Sequence, residues 1–293
     1  MTTRDTPAAC LTFDFDALSV WIGTYGLRGP SAISRGEFGA RVGLTRILTL
    51  LEREVVPATF FVPGHTVETY PELCREIVAR GHEIGHHGYL HERPVDLEPA
   101  EERAALERGL EVLELVLGTR PLGYRAPGWE HSDDTIGLLL EYGFAYDSSM
   151  MAQDFEPYFC RQGDVVQLDG PFLFGAEVEL VELPVSWSLD DLPQLEFMKA
   201  PLDPVPGLSG YDKTLSMWSA DWEYMIEHVP GGVLTTTMHP EVIGRAGRMR
   251  ILEGLIAHMK RGNATFVRGT EAIERWRRGQ AAPTAENGEE PTY

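Results

Sequence analysis

The 293-residue chain has few cysteines: Cys10, Cys74 and Cys160, odd in number and far apart. That excludes a disulfide framework or a CxxC metal pair, and it fits a reducing compartment. No apolar run of about 18 residues occurs, so no membrane-spanning helix is expected. The opening Met1-Thr2-Thr3-Arg4-Asp5-Thr6-Pro7 lacks the apolar stretch of a secretory leader, and a cytoplasmic protein is the expectation. Internal repeats are absent, as are low-complexity tracts before the tail. Basic residues are also scarce: 25 Lys and Arg face 45 Asp and Glu, a formal net charge of −20. Such a surface repels nucleic-acid phosphates and disfavours an anionic membrane or wall polymer. A small neutral or cationic substrate is compatible with it.

What is present is a full core, with 43% hydrophobic and 24% charged residues, enough for one large α/β domain or two small ones. Strand-like runs alternate with helical patterns. Strands are expected at 8–15, 58–62, 82–85, 122–126, 144–146, 179–185, 232–238 and 264–267. Helices are expected at 39–54, 70–80, 98–117, 132–142, 212–228, 248–261 and 270–278. This alternation implies a parallel sheet, and seven or eight such units imply closure into a (β/α) barrel. In a barrel the loops after the C-terminal strand ends carry the chemistry. The expected organisation is a single catalytic barrel over residues 1–279, with an irregular Pro/Gly-rich insertion at about 150–210 over its mouth. A polar, acidic, disordered tail is expected at 280–293.

The candidate chemical residues fall at those strand ends. Gly81-His82-Glu83-Ile84-Gly85-His86-His87-Gly88-Tyr89-Leu90-His91 places His87 and His91 four apart, a spacing at which two imidazoles can face one ion in a tightly turned backbone. Imidazole suits several first-row metals alike. His86, adjacent to His87, is expected to point elsewhere and to pack. Alternation in Thr12-Phe13-Asp14-Phe15-Asp16 puts both acids on one face. Two buried carboxylates repel unless a cation or proton lies between them. One Asp with two His makes a two-His, one-carboxylate site that activates water, and the other Asp is free to act as a base. Arg125 can hold a carboxylate by a bidentate pair. His239, before Pro240, can protonate a leaving nitrogen. Trp21, Tyr25, Trp129, Trp187 and Phe197 are candidate pocket walls, with His65 and Asp190 as polar lining. Asp190 and Asp191 can orient a histidine or cap the next turn.

These segments, in this order, resemble the polysaccharide deacetylase family, carbohydrate esterase family 4, over about residues 8–277. Asp14-Phe15-Asp16 stands where that family usually has Thr-Phe-Asp-Asp-Gly, with one residue between the acids. His87-Gly88-Tyr89-Leu90-His91 matches its His-Ser/Thr-x-x-His motif with Gly in the second place. Arg125-Ala126-Pro127 matches the start of its Arg-x-Pro-Tyr motif, followed here by Gly128-Trp129, and His239 matches the late histidine. The variant acids, with Phe61-Val62-Pro63-Gly64-His65 and Gly81-His82-Glu83, resemble an intracellular branch. That branch includes Helicobacter-type peptidoglycan deacetylases, cyclic imide hydrolases and metal-free allantoinases. The resemblance implies a distorted (β/α) barrel holding a divalent metal, with Zn²⁺ the expected ion, on Asp16, His87 and His91. It makes Asp14 the base, Arg125 the residue that fixes it, and His239 the acid. It implies hydrolysis of non-peptide C–N amide bonds of an amino-sugar or small-molecule substrate, and homotetramers. Gly88 and Gly128 remove side chains that the extracellular deacetylases use, and the large aromatics with a lid-like insertion favour a small enclosed substrate, which keeps a cyclic imide or ureide hydrolase as the alternative.

Overall fold

The computed structural model describes residues 6–198 and 205–280. Among the described residues eleven strands are formed: β1 Ala8–Asp14, β2 Thr59–Val62, β3 Glu83–His86, β4 Gly123–Tyr124, β5 Tyr146–Asp147, β6 Tyr158–Gln162, β7 Ala176–Glu182, β8 Phe197–Met198, β9 Val205–Pro206, β10 Val233–Met238 and β11 Thr265–Phe266. The main sheet runs β10-β1-β2-β3-β4-β5-β7-β6, with β11 beside the start of β1. All its pairings are parallel except β6 with β7. β1 and β10 are buried along their whole length, as expected of strands covered on both faces.

The sheet curls into a distorted barrel, as the alternation predicted. The seam is not a strand ladder. It is bridged by an isolated parallel pairing of Asp190 with Thr237 and by the Val233 N–H donating to the Phe155 carbonyl at 2.8 Å. The core packs helix Leu44–Glu54 and helix Met249–Arg261 against β1, β2 and β10, through Leu44, Ile47, Leu51, Leu252, Leu255 and Ile256. Helix Pro99–Leu117 begins as its sequence predicts, with Pro99 in the first turn and a reciprocal Glu98/Glu101 capping box.

Three expectations need correction. Helix Pro30–Phe38 has no strong apolar stripe and was not expected. It runs through a π-helical turn at Gly39–Gly43 into Leu44–Glu54, and a Cβ on Gly43 would come 2.0 Å from the Pro240 carbonyl. The glycine thus lets the loop after β10 press on this turn. Of the stretch 150–210 read as an irregular insertion, β6 and β7 are strands of the main sheet. Leu183 continues the ladder by donating to the Asp147 carbonyl at 2.8 Å. Lastly, Gln280 ends the helix Gly269–Gln280, while the rest of the expected disordered tail, 281–293, and residues 199–204 lie outside the described residues. Among the described residues no helix is long and apolar enough to cross a membrane.

Candidate active site

Asp14 closes β1, Arg125 follows β4, and His87 and His239 follow β3 and β10. Parallel packing therefore brings all four to one end of the sheet. Asp14, Asp16, His87, His91, Arg125 and His239 are all buried there.

Arg125 is wholly enclosed. Its Nη1 donates to Asp14 Oδ1 at 2.7 Å and to Thr12 Oγ1 at 2.9 Å, its Nε to the Ser148 carbonyl at 2.9 Å, and its Nη2 to Ser148 Oγ at 2.8 Å. The expected bidentate pair is thus replaced by a single charge-assisted bond to Asp14. The other donors are spent on Thr12 and Ser148, which fix the plane of the guanidinium. Its face rests 4.1 Å from the Phe61 ring centroid. Asp14 Oδ2 is left facing the histidines, 3.9 Å from His87 Nε2 and 4.0 Å from His239 Nε2.

His87 Nδ1 lies 2.7 Å from the Arg125 carbonyl, which can only accept, so Nδ1 carries the proton and Nε2 is bare. That bare nitrogen faces Asp16 Oδ1 at 3.5 Å, while His91 Nε2 faces Asp16 Oδ2 at 3.4 Å. Asp16 Oδ1 is buried with no hydrogen-bond partner. Burial pushes the Asp16 carboxyl well above the usual carboxylate range, with His239 opposing and Glu241, Asp14 and Asp190 adding to it. Burial likewise pushes His87 down to about 3 and His91 well below the ordinary histidine value. Electron pairs therefore meet electron pairs in a dry site, an arrangement that a cation resolves. The three ligand atoms of Asp16, His87 and His91 lie within 4.8 Å of one another, so this donor set fits a divalent ion such as zinc.

His239 is held by Asp191. Its Nδ1 is 2.7 Å from Asp191 Oδ1, and its backbone N–H donates to both carboxylate oxygens at 3.0 and 3.1 Å. Burial alone would lower the imidazole, but the charges of Asp190, Asp191 and Asp14 outweigh it and hold the imidazolium well above the ordinary value. Both readings of the acid pair are realised, one by each residue. Asp191 orients His239, and Asp190 Oδ1 caps the next turn by accepting from the Leu192 N–H at 2.8 Å. Burial pushes Asp190 up to about 7.

A cavity of about 640 Å³ opens over these groups, with Trp21, Tyr25, Trp129, Trp187 and Asp190 on its walls. The Trp129 and Trp187 indoles stack with centroids 4.2 Å apart. His65 is not on those walls. Its Nδ1 lies 3.0 Å from Ser19 Oγ, which contacts Thr66 Oγ1 at 2.8 Å, and Thr66 donates to the Asp16 carbonyl at 2.6 Å. It therefore braces the Asp16 backbone from behind. Phe197 is half exposed and is also not a wall. Sequence reasoning missed Thr24, Ser148 and Glu241. Glu241 lines the cavity, and its buried Oε2 has no partner. No spacing signal marks Thr24 or Ser148. Glu241 follows His239 by two residues, the one hint available.

Two glycines account for departures from the usual motifs. Gly88 has φ 69°, and a Cβ there would meet Pro127 at 3.1 Å; Gly128 also has φ 69°. His86 turns away from the site, as expected. Its Nε2 lies 3.1 Å from the Leu106 carbonyl, and its Nδ1 accepts from the Gly88 N–H at 3.2 Å.

Buried acids paired with bare imidazole nitrogens, beside a charged histidine that faces the same cavity, are the apparatus of a hydrolase. Comparison with known proteins narrows the class. A family model described as polysaccharide deacetylase matches residues 29–146. The peptidoglycan deacetylase of Helicobacter pylori is 38% identical over 259 residues, covering 85% of this chain and 88% of that protein. A peptidoglycan deacetylase-like protein of Gibberella zeae is 31% identical over 270 residues, 85% of this chain and 80% of its own. A solved structure from Mycobacterium smegmatis, named as a polysaccharide deacetylase, superposes with a TM-score of 0.81 at 36% identity, covering 99% of this chain and 97% of its own. PuuE allantoinase shares the fold, with a TM-score of 0.78 at 20% identity over 97% of this chain and 94% of its own. The chain belongs to the polysaccharide deacetylase family, carbohydrate esterase family 4, whose members hydrolyse carbon–nitrogen amide bonds.

Proposed function

We propose that this protein is a metal-dependent amide hydrolase in which Asp16, His87 and His91 hold a divalent ion, Asp14 is the general base and His239 the general acid. The observation that carries the reading is the buried Asp16 carboxylate, whose unpartnered Oδ1 faces His87 Nε2 while Oδ2 faces His91 Nε2. When bound, such an ion supplies Lewis acidity, which lowers the pKa of a water and polarises a carbonyl. Two imidazoles and a carboxylate accommodate several first-row divalent ions, of which zinc is the one proposed.

The chain's own groups manage the protons. Asp14 Oδ1 is engaged by Arg125, so Oδ2 is the oxygen available to take the proton that the attacking water loses. Arg125 holds that carboxylate in place with Oδ2 turned toward the histidines. The acid is His239, whose charge Asp190 and Asp191 maintain despite burial. As the C–N bond breaks, its Nε2 gives a proton to the departing nitrogen, and the acyl carbon leaves as a carboxylate.

The substrate is a small amide. The cavity is of a size that encloses a single small molecule, and an N-acetylated amino sugar is the first reading. The enclosing Trp129–Trp187 stack favours a second reading, a flat cyclic imide or ureide. Two of the arginines on the walls are already neutralised, Arg35 by Glu196 at 2.7 Å and Arg93 by Asp96 at 2.6 Å, which favours neutral or cationic substrates. Free buried cysteines fit work in the cytoplasm. The hairpin tip between β6 and β7 exposes Val166, Leu168 and Phe174, which supports self-association, a tetramer being the expected form.

The test is metal analysis with a panel of N-acetylglucosamine oligomers, succinimide, hydantoin and allantoin. Wild-type protein is expected to hold one equivalent of metal and turn over one class, with His87→Ala losing both. A His87→Ala protein that keeps stoichiometric metal and full turnover sinks the proposal.

A further inference from the structure

We infer that Thr24 is a positioning residue of this centre: its hydroxyl sets the tautomer and the ring direction of His91. The inference rests on the metal reading above.

Thr24 follows the short helix Ser19–Gly23 and is 67 residues from His91 in the chain. Its Oγ1 has one proton, and that proton goes to the His91 carbonyl at 2.7 Å, because a carbonyl only accepts. Oγ1 also lies 2.5 Å from His91 Nδ1. With its proton already committed, Oγ1 must accept there, so Nδ1 carries the hydrogen. A neutral imidazole has a single N–H, which leaves Nε2 bare and directed at Asp16. The Arg125 carbonyl does the same for His87. The two histidines thus present the same nitrogen by unrelated devices.

Thr24 also holds the backbone. His91 has φ 62°, a left-handed conformation unusual for a residue with a side chain. The bond to its carbonyl anchors that turn while the bond to its ring aims the side chain. Gly23 makes the approach feasible: a Cβ there would fall 1.8 Å from the Leu90 carbonyl. A glycine followed by a threonine therefore docks on Leu90–His91, and the same stretch supplies Trp21 and Tyr25 to the cavity wall.

The experiment measures Zn²⁺ affinity by competition with a chromophoric chelator, for wild type, Thr24→Ser, Thr24→Val and His87→Ala, with thermal unfolding of each metal-free protein alongside. Loss of the outer hydrogen bond is expected to weaken binding by about 10–100-fold in Thr24→Val, while Thr24→Ser stays near wild type. Thr24→Val that binds zinc as tightly as wild type, while His87→Ala does not bind, overturns the inference and leaves the metal reading standing. Wild type binding no better than His87→Ala overturns both. Imidazole ¹⁵N shifts of metal-free wild type give a check that needs no variant to fold. His91 protonated at Nδ1 is expected, and protonation at Nε2 overturns the inference.

Discussion

His86 offers a stability test that can be worked from the structure. It is fully buried, stacked on Tyr124 and edge-on to Phe144. Its neutral form is satisfied on both nitrogens, donating to the Leu106 carbonyl and accepting from the Gly88 N–H. Protonation would set Nδ1–H against that N–H at the start of the turn between His87 and His91. Burial lowers its pKa from 6.5 to about 4. The unfolded chain therefore binds more protons than the folded one between about pH 6.5 and 4, and stability rises with pH across that window. The contribution is complete above the unfolded value and is lost as pH falls toward the folded one. At about 1.4 kcal/mol per pH unit the full loss is about 3 kcal/mol, of which about 2 kcal/mol is lost between pH 7.5 and 5. Urea unfolding in chelator at those two pH values, for wild type and His86→Gln, isolates the term. The variant is expected to be less stable at pH 7.5 but to lose about 2 kcal/mol less on acidification. Equal losses in the two proteins would refute the assignment of this acid sensitivity to His86.

Two further outcomes follow from the site. Because Asp190 and Asp191 raise the His239 pKa against burial, the acid form persists to high pH, and activity is lost as pH rises through that raised value. Asp191→Asn is expected to move the basic limb of kcat/KM to lower pH, and an unmoved limb would exclude His239 as the acid. Gly88→Ala forces a side chain onto a φ of 69° and against Pro127, and is expected to cost about 1–2 kcal/mol. It should also weaken metal binding by displacing the turn between His87 and His91, as read by calorimetric melting and metal titration.

Much of the barrel was legible because buried parallel strands are continuous apolar runs. Ala8–Asp14 carries most of that signal, and Val233–Met238 shows it more weakly, with three threonines between its apolar ends. Helix Pro30–Phe38 lacked it, since it contributes little apolar surface to the core. β6 and β7 were obscured because an antiparallel hairpin at a sheet edge is partly exposed and interrupted by turn residues. At the site, residues joined by short spacing or strand-end position were readable, among them Asp14, Asp16, His87, His91, Arg125 and His239. Their partners were not, because Thr24 and Ser148 act through single hydroxyls brought across the fold. His65, picked from its neighbourhood in sequence, braces Asp16 from outside the cavity.

By itself the sequence determined which chemical groups exist and that they cluster at strand ends, since strand period and turn chemistry are local properties. Only tertiary packing decided how those groups are used. It left Arg125 one bond for Asp14 rather than two, gave Asp190 and Asp191 different tasks, and turned both bare imidazole nitrogens toward Asp16. Hydrogen-bond direction and desolvation depend on neighbours distant along the chain, and those are set when the barrel closes.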